Sequence, residues 1–420
     1  MRILTNIKNR FRLNLIEFGK RLLLMLLMLS ISPFLQAGGN SITESGQQGT
    51  VDLESKVIKI FEQNCARSGC HVGTTPMMGL KLTADEFYAR TVNQPSTEMP
   101  ELMRVKPGEP DSSYLVMKVL GTADIIGGRM PFGRDPLSDE EISTIVQWVE
   151  SIQEVDTERI QESEPDPLLP FHGWKVLNTP TSRMVDKGDF LFLISHRFIP
   201  PVKAGYEAFW GLDGSGIIFL NLGYAISNRL FVNLGRSNSQ DELELDIKFG
   251  LKRQYPGDKL PFAASVMGFL GWITETRGDE DAFRSEAFRP GLQLSLSSQL
   301  VKGASLNVVP GILFNPSSEL DGEDPVVTLG LAGKIHIWKS ISIIGEWVPI
   351  LSGYTPTFTS GELNRFDTWG AGIELGVGGH AFQIIVTNSA GLTTPQYLNG
   401  GSLDTGDDGV RLGFNIFRPL

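Results

Sequence analysis

The chain has 420 residues, room for two or more domains at about 150 residues each, and 41% of them are hydrophobic, enough for packed cores. Its formal charge of -11 argues against nucleic acid as a partner, because phosphate binding needs clustered Lys and Arg. Only two cysteines occur, close together; in an exported chain such a pair normally reads as a disulfide.

At the N-terminus Arg2, Lys8, Arg10, Arg12, Lys20 and Arg21 precede the apolar run from Leu22 to Leu29, and Leu35-Gln36-Ala37 follows. A basic segment, an apolar segment and small residues in that order predict a signal peptide over 1–37, cleaved after Ala37. The alternative is an uncleaved anchor, although the run is short for a bilayer span of about 20 residues. Residues 38–50 read as a flexible lead rich in Gly, Ser, Gln and Thr.

Leu53, Val57, Ile60 and Phe61 recur at helical spacing and lead into Cys65. A second helix is predicted after Ser138-Asp139-Glu140-Glu141, a capping box whose helix carries Ile142, Ile145, Val149 and Ile152 on one face with Trp148 beside it. Two helices bracketing loop-rich sequence predict a small all-α domain over 51–153. Residues 154–187 read as a linker, acidic and Pro-rich at its start through Glu154, Asp156, Glu158, Glu162, Glu164, Asp166, Pro165, Pro167 and Pro170.

From 188 to 420 the period changes from 3.6 to 2. Leu243, Leu245, Ile247, Phe249 and Leu251 alternate with Glu244, Asp246, Lys248, Gly250 and Lys252, and similar runs recur with turn signals between them. The pattern predicts an antiparallel all-β domain of roughly 12 strands of around 9 to 11 residues, the length of membrane-spanning barrel strands. In a barrel Asp246, Lys248, Lys334 and Glu346 would face the lumen. Phe190, Trp210, Trp272, Trp338, Trp347, Trp369 and Phe417 would form an interfacial girdle. A soluble β-sandwich is the competing architecture. The chain ends Arg418-Pro419-Leu420, which departs from the aromatic terminus common in outer-membrane barrels.

The chemistry concentrates at Cys65-Ala66-Arg67-Ser68-Gly69-Cys70-His71. Two cysteines followed directly by histidine are the attachment pattern of a c-type haem, held by two thioethers with the histidine on the iron. Four residues separate the cysteines here instead of the usual two. A disulfide leaves His71 unexplained, and a zinc site lacks a second Cys/His cluster to complete four ligands. Met130, in Arg129-Met130-Pro131-Phe132-Gly133 just before the Ser138 helix, is the expected second axial ligand. Met77, Met78, Met99, Met103 and Met117 compete for that role.

These elements resemble the planctomycete-type cytochrome c family, a monohaem domain. The likeness covers about a quarter of the chain. It rests on Ile60-Phe61-Glu62-Gln63-Asn64-Cys65, the extended Cys-x4-Cys-His, Gly79-Leu80-Lys81-Leu82, the run from Val105 to Leu115, Arg129-Met130-Pro131, and the closing helix with Glu141 and Trp148. The resemblance implies one covalent haem c with Cys65 and Cys70 as thioether positions, His71 proximal and Met130 distal. The remainder, through Asn178-Thr179-Pro180-Thr181 and Phe192-Leu193-Ile194-Ser195-His196-Arg197-Phe198, resembles a bacterial outer-membrane β-barrel family that brings no assigned reaction. His196, His336 and His380 read as structural or lumen-facing.

The expectation is therefore an exported monohaem cytochrome joined to an outer-membrane barrel. It would exchange single electrons with a periplasmic or membrane redox protein and lie in outer-membrane lipid. The alternative is a redox-linked component of an enzyme or transport complex in which the barrel is a pore. No catalytic triad, phosphate loop or recognisable carboxylate pair points to a self-contained enzyme.

Overall fold

Alternation of side chains dictates most of this structure, a computed structural model that describes residues 48–67, 70–73, 76–161, 167–276, 278–317, 324–338, 340–353, 366–377 and 380–419. The expected signal peptide and most of the lead lie outside the described residues.

The first region is helical. Helix α1 (Gln48–Asn64) buries Val57 and Phe61 one turn apart, α2 (Phe87–Thr91) is short, and α3 (Tyr114–Leu120) stops at Gly121, left-handed at φ 74. Helix α4 (Asp139–Ser151) starts with both hydrogen bonds of the Ser138–Glu141 capping box and buries Ile145, Trp148 and Val149. The rings of Phe61, Phe87 and Trp148 pack in series, tilted to one another, with centroids 5.5 and 5.1 Å apart, and join α1, α2 and α4 in one apolar core. The expected linker is not wholly irregular: Thr157–Gln161 is a short helix, α5, where Arg159 pairs with Glu54 on α1 and lies over Tyr88.

The second region is a closed antiparallel barrel. Its strands are β1 (Phe190–Phe198), β2 (Gly216–Ser227), β3 (Leu230–Ser237), β4 (Glu242–Lys252), β5 (Ala263–Ile273), β6 (Phe288–Val301), β7 (Ala304–Leu313), β8 (Val326–Trp338), β9 (Ile341–Val348), β11 (Thr368–Val377), β12 (His380–Thr387) and β13 (Arg411–Pro419). Each pairs with its neighbours in order, β1 pairs with β13, and β8 pairs with β9, so 12 strands close the cylinder. The three-residue β10 (Ile350–Ser352) only lengthens the rim beside β8. Closure leaves no free edge, which a lipid environment demands.

The period of two sorts the residues by face. Leu220, Leu222, Leu234, Ile247 and Ile384 point outward with large exposed side chains, up to 70% for Ile384, while Glu242, Glu244, Asp246 and Lys248 are fully enclosed. The predicted lumenal charges are thus inside, and Phe190, Trp210, Trp338 and Trp347 are exposed as a girdle requires. Phe417 is the exception: it sits on the inward face of β13 and packs in the lumen. His196 points outward between Phe198 and Phe414. The links between 227 and 230, 301 and 304, 338 and 341, and 377 and 380 are short and share one end with the start of β1 and the end of β13. The connections that leave β1, β5, β7, β9 and β12 are longer and join their strands at the other end, together with the four-residue β3–β4 link, while the ten-residue β4–β5 link is on the short-link side. No helix among the described residues is long and apolar enough to cross a membrane.

Candidate functional site

Cys65 directly follows α1, and its amide continues the helical bonding by donating to the Phe61 carbonyl at 2.7 Å. The chain then turns back, so that the His71 amide donates to the Cys65 carbonyl at 3.2 Å and the Leu82 amide to the His71 carbonyl at 2.9 Å. Three of the expected site residues, Cys65, Cys70 and His71, therefore share one closed loop. Asn64 donates to Glu141 at 3.2 Å and ties the loop to the start of α4. The two thiols are not joined to each other. Burial pushes the Cys65 thiol up to about 12, helped by the adjacent Cys70, and burial also raises Cys70. Both are protonated at neutral pH. Among the described residues no group of three or more His, Cys, Asp or Glu converges to hold a metal ion.

The His71 ring is oriented. Its Nδ1 lies 3.0 Å from the Leu80 carbonyl oxygen, which can only accept, so Nδ1 carries the proton and the lone pair is on Nε2. Burial lowers the His71 pKa, opposed by the Leu80 carbonyl and aided by the positive Arg104 and Lys118, so the ring is neutral. A neutral imidazole anchored through its other nitrogen is the form in which histidine ligates metals.

Met130 comes from a different loop. Its amide donates to the Lys118 carbonyl at 2.9 Å, and Arg129 Nε donates to the Val119 carbonyl at 2.8 Å, so the loop is fastened to the last turn of α3. Met130 is half-buried, and Met78, Ile126 and Phe132, on the same two loops, leave large apolar surfaces exposed. A neutral histidine and two unjoined thiols on one loop fit the donor set of a covalently held haem.

The barrel lumen holds a second constellation that the sequence reading assigned to the linker. The Leu168 amide bonds Gln254 at the short-link rim, and the chain enters the cylinder there. It folds back on itself through Val176–Thr179 and Thr181–Trp174 backbone bonds. At the tip one carboxylate, Glu346 on β9, accepts from the amides of Leu177, Asn178 and Thr179 at 3.2, 3.0 and 3.0 Å. It also accepts from Asn178 Nδ2 at 2.8 Å and Thr179 Oγ1 at 2.9 Å. Arg197 donates to Asn178, Ser295 and Asn307 donate to the Pro180 carbonyl, and Lys248 donates to the Arg183 carbonyl while its ammonium lies 3.4 Å above the Trp174 ring. The turn of this inner hairpin is Val176–Thr179, so Asn178 and Thr179 of the motif lie in the turn and Pro180 and Thr181 on the returning arm.

A second insert comes from the other end. Within 388–410 a one-turn helix, α6 (Thr394–Leu398), starts on a Thr393–Gln396 capping box and buries every residue but Gln396. Thr393 and Gln396 both donate to Glu242 at 2.8 Å, the Thr394 amide donates to Glu244, and Tyr397 Oη donates to Gln293 at 2.9 Å. Arg289 pairs with the same Glu242 at 2.5 Å. The sequence signals for this insert were the Thr393-to-Gln396 capping pattern and Pro395 at the first helical turn.

No curated protein matches the chain. Among solved structures it is similar to the COG4313 outer membrane channel from Pseudomonas putida F1, at 13% identity and a TM-score of 0.36 over 56% of this chain and 97% of that one. It is also similar to the outer membrane protein Omp33 of Acinetobacter baumannii, at 9% identity and 0.30 over 56% and 99%. The outer membrane phospholipase A of Escherichia coli matches at 10% identity and 0.29 over 56% and 91%. Residues 171–420, more than half of the chain, match the family described as membrane bound beta barrel domain, DUF5777. The match begins where the inner hairpin begins and runs through β13, so the chain belongs to that family of membrane-bound β-barrel proteins.

Proposed function

We propose that this protein is a barrel-anchored monohaem cytochrome, which passes single electrons to or from a redox protein partner. The observation that carries the reading is the His71 ring, neutral and fixed through Nδ1 to the Leu80 carbonyl, one residue after the second of two unjoined thiols. Cys65 and Cys70 would hold the porphyrin covalently, His71 would ligate the iron, and Met130 would be its second protein ligand. Bound there, the haem supplies one-electron redox chemistry, and a methionine ligand raises its potential. The protein's own part is to orient the histidine, deliver the thioether and exclude water with Met78, Ile126 and Phe132.

The helical domain joins the barrel at the end with the short links. In outer-membrane barrels short turns face the periplasm, which supports a haem domain on the periplasmic side. One haem cannot bridge an apolar band about 25 Å tall, so electrons stay on that side. The barrel then serves as an anchor in outer-membrane lipid, and the two inserts hydrogen-bonded inside its lumen support that role. The second reading is a pore serving a redox complex.

The test is a haem stain of the membrane fraction after denaturing electrophoresis, with a visible spectrum of the detergent-purified protein. Covalent stain at the full-length mass and a low-spin, six-coordinate spectrum are expected. Absence of stain, or a five-coordinate spectrum, defeats the electron-carrier reading. Planar-bilayer recordings are expected to be silent, and steady conductance from the native protein would favour the pore.

A further inference from the structure

The loop that bears Met130 is rich in glycine, with Gly127 and Gly133 both at positive φ, so its backbone has many conformations to choose from. Three side chains outside the donor set remove that freedom. Glu98 Oε2 accepts from Tyr114 Oη at 2.8 Å and from Lys118 Nζ at 3.0 Å. Lys118 Nζ also donates to the Ile126 carbonyl at 2.8 Å, and the Ile126 amide donates to Tyr114 Oη at 3.1 Å. Both backbone polar groups of Ile126 are therefore gripped by α3, through two side chains that one carboxylate orients. Four residues later the Met130 amide closes the loop onto the carbonyl of the same Lys118. Lys118 is 8% exposed, an unusual place for an ammonium, and its chain acts on the loop at both ends.

We infer that Glu98, Tyr114 and Lys118 are positioning residues for Met130: they clamp its loop on α3 so that the thioether is delivered to the iron. The inference rests on the haem reading above. Without the clamp the loop keeps its chain connection and the Met130 side chain, but delivering the sulfur then requires ordering a glycine-rich segment first, which weakens the sixth bond. Burial pushes the Tyr114 phenol up to about 12, so it remains a donor to Glu98 over the working pH range.

The experiment uses the full-length protein in detergent, with Glu98→Gln, Lys118→Met and Tyr114→Phe, and with Lys118→Arg as the conservative control. Three readouts are taken: the weak red charge-transfer band of methionine-ligated ferric haem, the affinity for added imidazole, and amide hydrogen exchange at Ile126 and Met130. The first three variants should keep covalent haem stain, lose intensity in that band, bind imidazole at least about tenfold more tightly (about 1.4 kcal/mol) and exchange faster at both amides. Lys118→Arg should restore the band. Tyr114→Phe removes a single hydroxyl and serves if the charge variants do not fold. Stained, folded variants with unchanged band and imidazole affinity overturn the clamp alone. Native protein without stain overturns the haem reading and the clamp with it. A band that survives Met130→Ala shows another ligand and also overturns the clamp.

Discussion

The helical domain and the barrel are built inside-out relative to each other. In the domain Val57, Phe61, Phe87, Ile145 and Trp148 meet in an apolar centre, and charged side chains such as Lys56 and Asp52 face solvent. In the barrel Leu220, Leu222 and Ile247 face out, while the centre holds Glu242, Glu244, Asp246, Lys248, Arg289 and Glu346. Each region places its apolar residues against the apolar neighbour available to it, the chain's own helices in one case and lipid in the other. The difference teaches that a polar core has to be completed by hydrogen bonds where an apolar one is completed by volume, and the two inserts supply those bonds.

That contrast can be broken at several points. The largest effect is expected from Trp148→Ala, which leaves a cavity between α2 and α4 and should cost the helical domain about 4 kcal/mol. Urea denaturation followed by the helical circular dichroism signal would read it, with the barrel unaffected. Glu346→Ala should cost about 3 kcal/mol, because three buried amides of the inner hairpin lose their acceptor. Heat-modifiable gel mobility would report the weakened barrel, and a mobility transition at the native temperature would mean that the hairpin is not held by this carboxylate.

Leu222→Arg sharpens the comparison from the lipid side. Leu222 lies at the middle of β2, 47% exposed, and arginine there should cost about 2–3 kcal/mol in a bilayer. A wild-type folding yield in vesicles would contradict a lipid-facing position. The smallest effect is Ser138→Ala, about 1 kcal/mol through loss of the α4 cap, confined to the helical domain. The pH dependence should also be local. Burial holds the His71 pKa below its ordinary 6.5, so its contribution is complete above that pH and declines as pH falls beneath it, because the unfolded chain takes up the proton first. Helix melting that begins above pH 7 would conflict with that sign.

Much of this was legible along the chain. The capping box at Ser138 specified where α4 starts, since the two hydrogen bonds that make it are local. Alternation through 243–252 specified which face of β4 bears charge, since successive side chains on a strand must point to opposite sides. The number of strands followed from counting such runs. Phe417 was misplaced in the girdle, because alternation states that two faces exist and leaves open which one a terminal strand turns inward.

The clustering of Cys65, Cys70 and His71 was written in the sequence itself, as an odd-spaced motif whose members could hardly avoid one another. What the motif could not contain was the orientation of the His71 ring, which depends on a carbonyl nine residues on, or the grip of Glu98, Tyr114 and Lys118 on the loop of Met130. Those contacts join segments distant along the chain, and nothing local selects them. The same holds for residues 171–187, which read as linker because a polar stretch with Pro and Asn is equally suited to solvent and to a polar lumen. Only the closed cylinder, with its buried carboxylates in need of donors, decided between the two.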